Sequence, residues 1–196
     1  MRNINLSDLL NIFEYEKVRE EYRSDIMSYK NTRRVELGPH LTLTFENMTT
    51  MKFQIQEMMR AERMVHDAQI QEEIDIYNSL LPTRTSLSAT LFIEITQAEK
   101  IKPVLRQFIG LTVGDTVYLS WGENIIFAEF ESGREEEDRI SSVHYIHFSF
   151  DENLLKDFLK TDQYVIMGVD YNDYNYKLEL PNQVLQSLRS DFDMYK

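Results

Sequence analysis

Apolar residues recur every three or four positions over the first eighty residues, and every second position over much of the rest. The change of period predicts helices first and a sheet afterwards. Tyr15, Val18, Tyr22, Ile26 and Tyr29 form one stripe on a helix over 14–30, preceded by a short opening helix that Ser7 caps and that runs to Asn11. Met48, Met51, Ile55, Met58 and Val65 form a second stripe, on a helix capped by Asn47 or Thr49. Ile70, Ile74, Tyr77 and Leu81 form a third, with Asp67 as the cap. Between the first two helices, Leu41, Leu43 and Phe45 alternate with threonines and read as a strand with those three side chains inward.

Residues 81–86 (Leu-Pro-Thr-Arg-Thr-Ser) are the linker-like stretch, and they are few. Beyond them 87–95, 116–121, 125–130, 143–150 and 164–169 read as strands, and 176–180 as a weaker sixth. Gly122-Glu123 fits a two-residue type II′ hairpin turn. Helices intervene at 97–109, 152–160 and 182–191. Pro103 makes the first of these kink or begin late, Asp151 caps the second, and Pro181 suits the opening of the third. The tract 131–139 is too polar to pack and is expected to be a mobile hairpin loop. A hairpin rather than a crossover then leads into the next strand, which favours an antiparallel meander over a doubly wound sheet. The expectation is one α+β domain over 1–196. In it a helix-rich N-terminal lobe (1–82) packs on a mainly antiparallel β-sheet lobe (83–196) with C-terminal helices, and proteolysis cuts first within 131–139.

Composition narrows the chemistry. The 196 residues carry 33 acidic against 21 basic side chains, a net charge of −12 that disfavours nucleic acid and anionic membrane surfaces as partners. No apolar run approaches the roughly 20 residues needed to span a bilayer, and the acidic N-terminus does not read as a signal peptide, so a cytoplasmic protein is expected. The absence of cysteine removes disulfides, a thiolate nucleophile and thiolate-held zinc or iron–sulfur clusters. Any metal would fall to His40, His66, His144 and His147, to carboxylates or to backbone oxygens.

Polar residues concentrate between Arg33 and Leu81. Glu62 falls within the Met48–Val65 stripe, and a carboxylate on a buried face needs a donor beside it. That makes it a functional candidate; a structural ion pair with Arg19, Arg33 or Arg34 is the plainer alternative. Glu62 and His66 have the spacing of two ligands on one helical face, but the paired Glu-x-x-His signature of di-iron bundles is missing. Lys30, Arg33, Arg34, Arg60 and Arg63, with His40 in the Gly38-Pro39-His40 turn, would make an anion pocket if the strand folds back on the helix. His144 and His147 are three apart on a strand, so they face opposite ways, His144 sharing a face with Ile146, Phe148 and Phe150. The Asp170–Asn175 run lacks the glycine of a calcium loop and reads as a turn. There is no phosphate-binding glycine loop, nucleophile elbow or nucleotide fingerprint.

The run Arg33-Arg34-Val35-x-Leu37-Gly38-Pro39-His40, with Phe45-Glu46-Asn47, resembles an uncharacterised bacterial family of unknown function. So do Gln54-x-Gln56-Glu57-Met58-x-Arg60-x-Glu62-Arg63, Ile70-Gln71-Glu72-Glu73-x-Asp75-x-Tyr77-Asn78, Ser142-Val143-His144 and Gly168-Val169-Asp170, so that the similarity spans the chain. In that family an aromatic and then acidic residues follow the Glu-Arg pair; Val65-His66 departs from this. Its members are typically encoded beside rubrerythrin-like proteins and a cysteine-rich iron–sulfur oxidoreductase. The resemblance therefore implies a place near peroxide defence or electron transfer, with a protein of that kind as partner. The expected function is that of a non-enzymatic accessory or binding protein of a cytoplasmic redox system, with no cofactor specified. The competing reading is a small metal-dependent or acid–base enzyme using Glu62 with His40 and Arg63. The site is expected among Arg34, His40, Arg60, Glu62, Arg63 and His144, with His40 and Glu62 as weak metal candidates, where the Gly38-Pro39-His40 turn meets the second helix.

Overall fold

The computed structural model describes residues 3–133, 135–136 and 139–193. Among them the chain opens with a 3-10 turn at Leu6–Asp8, where a short helix running to Asn11 was expected. Asn5 and Asp8 close a capping box on each other, and Asn11 begins a new helix with its own cap, so the first turn cannot propagate. That helix, α1, is Ile12–Asn31. The strands β1 (Arg34–Leu37) and β2 (Leu41–Glu46) lead to α2 (Met48–Ala61), and α3 (Asp67–Ser79) follows. The side-chain oxygen of Asn47 accepts from Thr49 and Thr50 to start α2, whereas α3 opens at Asp67 itself, behind His66, without a side-chain cap.

Beyond β3 (Ser86–Ile93) a 3-10 turn delays α4 to Ile101–Gln107, which puts Pro103 in the first turn, where its missing N–H costs nothing. Then come β4 (Val117–Trp121), β5 (Asn124–Phe130), the short β6 (Glu135–Glu136) and β7 (Arg139–Ile140), and β8 (Val143–Ser149). The last elements are α5 (Glu152–Lys160), β9 (Ile166–Tyr171), β10 (Tyr174–Glu179) and α6 (Asn182–Asp193). Of the polar tract expected to be a loop, Arg134, Glu137 and Asp138 lie outside the described residues, and β6 pairs with β7. Gly122 takes φ +56° between β4 and β5 and Glu123 does not share the positive φ, as a type II′ turn requires.

Eight strands form one antiparallel sheet in the order β1-β2-β3-β8-β5-β4-β9-β10. The expected meander is broken at two places: β8 inserts between β3 and β5, with Leu91 opposite His144 on one side and Ala128 opposite Phe148 on the other, and β9 pairs with β4, Val169 opposite Val117. The first 82 residues thus supply two strands of this sheet as well as three helices. The sheet curls until its edge strands approach, and the gap is closed by a side chain: the Tyr174 hydroxyl on β10 donates to the Leu37 carbonyl at 2.5 Å and accepts from the His40 and Leu41 amides. Gly38 makes room for it, since a Cβ there would lie 2.7 Å from both the Tyr174 hydroxyl and the Tyr176 ring.

The near-barrel is filled by its own alternating side chains. Leu37, Leu43, Phe45, Leu91, Leu119, Trp121, Ile146, Phe148 and Met167 are buried in one cluster, which α5 and α6 close with Phe158 and Phe192. The outer face of β2 and β3 is also buried, though polar: Thr42, Thr44, Glu46, Ser88 and Thr90 lie beneath other elements, and Thr90 donates to Glu46 at 2.8 Å. A second apolar cluster joins Met51, Ile55 and Met59 of α2 to Ile70, Ile74 and Tyr77 of α3, and takes in Tyr145 from the outer face of β8.

Candidate functional site

The head of α1 is fixed to α2 by polar pairs, and those pairs decide which side chains remain outside. Tyr15 donates its hydroxyl to Glu57 at 2.7 Å, and Arg19 grips the same carboxylate with two bonds of 2.8 Å. Arg19 holds the Glu57 carboxyl below the usual range, while burial and the adjacent carboxylate push the Tyr15 phenol well above its own. The preceding residue of α2, Gln56, makes reciprocal bonds with the backbone N–H and C=O of Leu10. With Tyr15 facing α2, Phe13 two positions back turns outward and is 77% exposed.

The end of α2 reverses by a Schellman turn: the Met64 N–H donates to Met59 O, and the Arg63 N–H to Arg60 O. Arg63 occupies the left-handed position that such a turn needs, at φ +53°, where glycine is the unstrained residue. Met64 then drops against the apolar cluster that holds Met59, and Val65 is left 60% exposed.

Phe13 and Val65 face a surface groove of about 870 Å³, whose other walls are Ile12, Glu16, Lys17, Arg60, Ala61 and Arg63. A smaller cavity of about 280 Å³ shares Ile12, Phe13 and Val65 with it and is floored by Leu6, Leu9, Met59, Met64 and Ile70. Arg60 pairs with Glu16 at 2.7 Å and holds that carboxyl below its ordinary range, and Lys17 pairs with Glu14 at 2.8 Å. Arg63 makes no ion pair among the described residues.

The six residues singled out by sequence fall into three separate places. Arg60 and Arg63 line the groove, while Glu62, between them in the chain, does not. Glu62 is not on a buried stripe: α2 ends at Ala61, and Glu62 is its exposed C-cap. The buried face of α2 is Met51, Ile55 and Met59, and the apparent continuation to Val65 lies beyond the reversal at Arg63. The arginines weighed as its partners are engaged elsewhere, Arg19 with Glu57, Arg33 with Asp191 and Arg34 with Glu94.

Arg34 and His40 lie at the seam of the sheet. Arg34 reaches Glu94 at 2.8 Å, and the His40 ring stacks on Tyr174 and meets the edge of Phe108. The expected junction of the Gly38-Pro39-His40 turn with the end of α2 is thus not what the contacts of either show: the turn packs on Tyr174 of β10 and on Phe108 just beyond α4, the helix end on α1. His144 is fully buried in the barrel, its Nε2 2.8 Å from the Ser141 carbonyl, with Ile146 and Phe148 on the same face and His147 on the other. His66 is exposed ahead of α3. Among the described residues no group of three or more His, Asp or Glu side chains could hold a metal ion. None of their helices is long and apolar enough to cross a membrane.

Phe13 escaped the sequence reading because it lies off the Tyr stripe and belongs to no motif. A lone exposed phenylalanine is visible only once its neighbours are placed.

The model of the family described as Protein of unknown function (DUF3501) matches residues 3–192. A crystal structure titled as a novel protein of unknown function from Burkholderia pseudomallei K96243 is 28% identical, with a TM-score of 0.89, covering 98% of this chain and 100% of that one. None of the curated proteins matches.

Proposed function

We propose that this chain, which belongs to the family described as Protein of unknown function (DUF3501), is a non-enzymatic accessory protein that docks a partner through the groove at the head of α1. One observation carries the reading. The groove gathers exposed apolar side chains, Phe13 and Val65 foremost, while the imidazoles and the carboxylate a catalyst would combine sit in three different places. Clustered exposed apolar surface is what association sites have and what a monomer otherwise avoids. In this reading the helices α1–α3 form a docking platform set on the outer wall of the sheet. The protein works in the cytoplasm, beside a rubrerythrin-like protein or an iron–sulfur oxidoreductase. With no cysteine of its own it has no thiolate to hold a cluster, so in such a system the partner carries the electrons.

The test uses purified partners. Titration of a rubrerythrin-like protein and of the iron–sulfur oxidoreductase against the full chain should give a saturable complex with one of them, abolished by Phe13→Asp. Absence of binding to both, together with stoichiometric iron, manganese or zinc in the protein as isolated, would overturn the reading in favour of a metal enzyme.

A further inference from the structure

We infer that the groove is shaped for an amphipathic helix whose apolar face is flanked by carboxylates, with Arg63 as their counter-charge. The inference rests on the docking role proposed above and adds the chemistry of the occupant. The larger cavity is lined by three cations, Lys17, Arg60 and Arg63, against the single carboxylate of Glu16. This is a local reversal in a chain of net charge −12. Glu16 already neutralises Arg60, and Glu14 neutralises Lys17, which leaves Arg63 as the groove cation without an ion pair among the described residues. The adjoining cavity is apolar apart from Asn11 and Asp67.

The backbone at Arg63 supplies an independent argument. Its φ of +53° is a conformation that glycine adopts freely and a branched-out side chain does not, so a turn selected for folding alone would carry glycine there. Strain retained at one residue is accounted for when its side chain is needed outside the fold. The two cavities meet at Phe13 and Val65, so the apolar track is elongated, the shape that takes successive i, i+3/i+4 and i+7 anchors of a helix. A guanidinium on its rim offers a fork of donors matched to a carboxylate.

Two labelled helical peptides of roughly 18 residues, about five turns, serve as probes. They share one apolar face, flanked by glutamates in one and by lysines in the other, and are titrated against the full-length protein by fluorescence anisotropy. The acidic peptide should bind at least about tenfold more tightly, with a preference that shrinks as salt rises. Arg63→Gly should erase the preference while raising the melting temperature by about 2–4 °C, because it relieves the strained turn. A purely structural arginine would leave the preference untouched. Equal binding of both peptides, or preference for the basic one, overturns the inference and leaves docking at the groove intact. If neither peptide binds, or if Phe13→Asp has no effect on binding, the docking role itself fails. Self-association in sedimentation that Phe13→Asp abolishes would make the groove an interface between copies of this chain and overturn the inference as well.

Discussion

Arg33 has no exposed surface, and its guanidinium is met by oxygen acceptors. Its guanidinium donates to the Phe45 carbonyl at 2.8 Å, to the Ser187 hydroxyl at 2.9 Å and twice to Asp191, at 3.2 and 2.5 Å. Burial pushes the Asp191 carboxyl above its ordinary range, against the pull of Arg33 and of the Asn47 amide. Removing the acid strands a buried cation, so Asp191→Asn should cost about 3–5 kcal/mol in urea unfolding. Glu62 would carry such a penalty only as half of a buried ion pair, and it is exposed at the end of α2. Glu62→Gln should change stability by no more than about 0.5 kcal/mol in the same measurement. A carboxylate's burial was legible only as far as helix periodicity holds, and the true partner of Arg33 lies 158 residues away, beyond any local pattern. His147 is one of the residues that make stability depend on pH. Burial holds its imidazole below the usual value of 6.5, with Glu129 and Glu131 offsetting part of this. The unfolded chain therefore takes up a proton that the native state resists. The stability that this group contributes is present above about pH 6.5 and is lost as pH falls below it, and His147→Gln should lessen the decline below about pH 6.5.

Among the elements, long alternating strands and capped helices follow from side-chain period alone, and β3, β4, β5 and β8 lie within two residues of where alternation puts them. Two elements were harder. β1 has four residues, two of them charged, too short a pattern to separate from a loop. The end of α2 was misplaced because Met64 and Val65 continue the apolar spacing across a reversal that an arginine, not a glycine, makes. The tyrosines flanking the β9–β10 turn read as part of an Asn/Asp turn, and their hydroxyls turn out to be fasteners. Tyr171 donates to the Ile109 carbonyl, and Tyr174 holds Leu37, His40 and Leu41 across the seam. Tyr174→Phe leaves two amides and a carbonyl to find other partners at a half-buried site. It should cost about 1–3 kcal/mol, read by urea unfolding, with faster hydrogen exchange at the His40 and Leu41 amides.

At the scale of the whole molecule, the sheet unites the two ends of the sequence. β1 and β2, from the helix-rich first part, form one edge of it, and β9 and β10 form the other. We expect limited proteolysis to cut first within 131–139 and to leave no stable 83–196 fragment, since such a fragment would lose β1 and β2 and bare the edge of β3; mass spectrometry of the digest decides it. The same strand order has a kinetic consequence. Until residues 143–149 are available, β1-β2-β3 and β4-β5 are two pieces with no ladder between them, and only β8 can join them. Productive folding thus waits on contacts of high sequence separation, Leu87 with Phe148 among them. This places the chain with slow, high-contact-order folders rather than with helical bundles. During synthesis β3 emerges more than fifty residues ahead of its partner and stays open along one side, so the nascent chain is at its most aggregation-prone just before β8 leaves the ribosome.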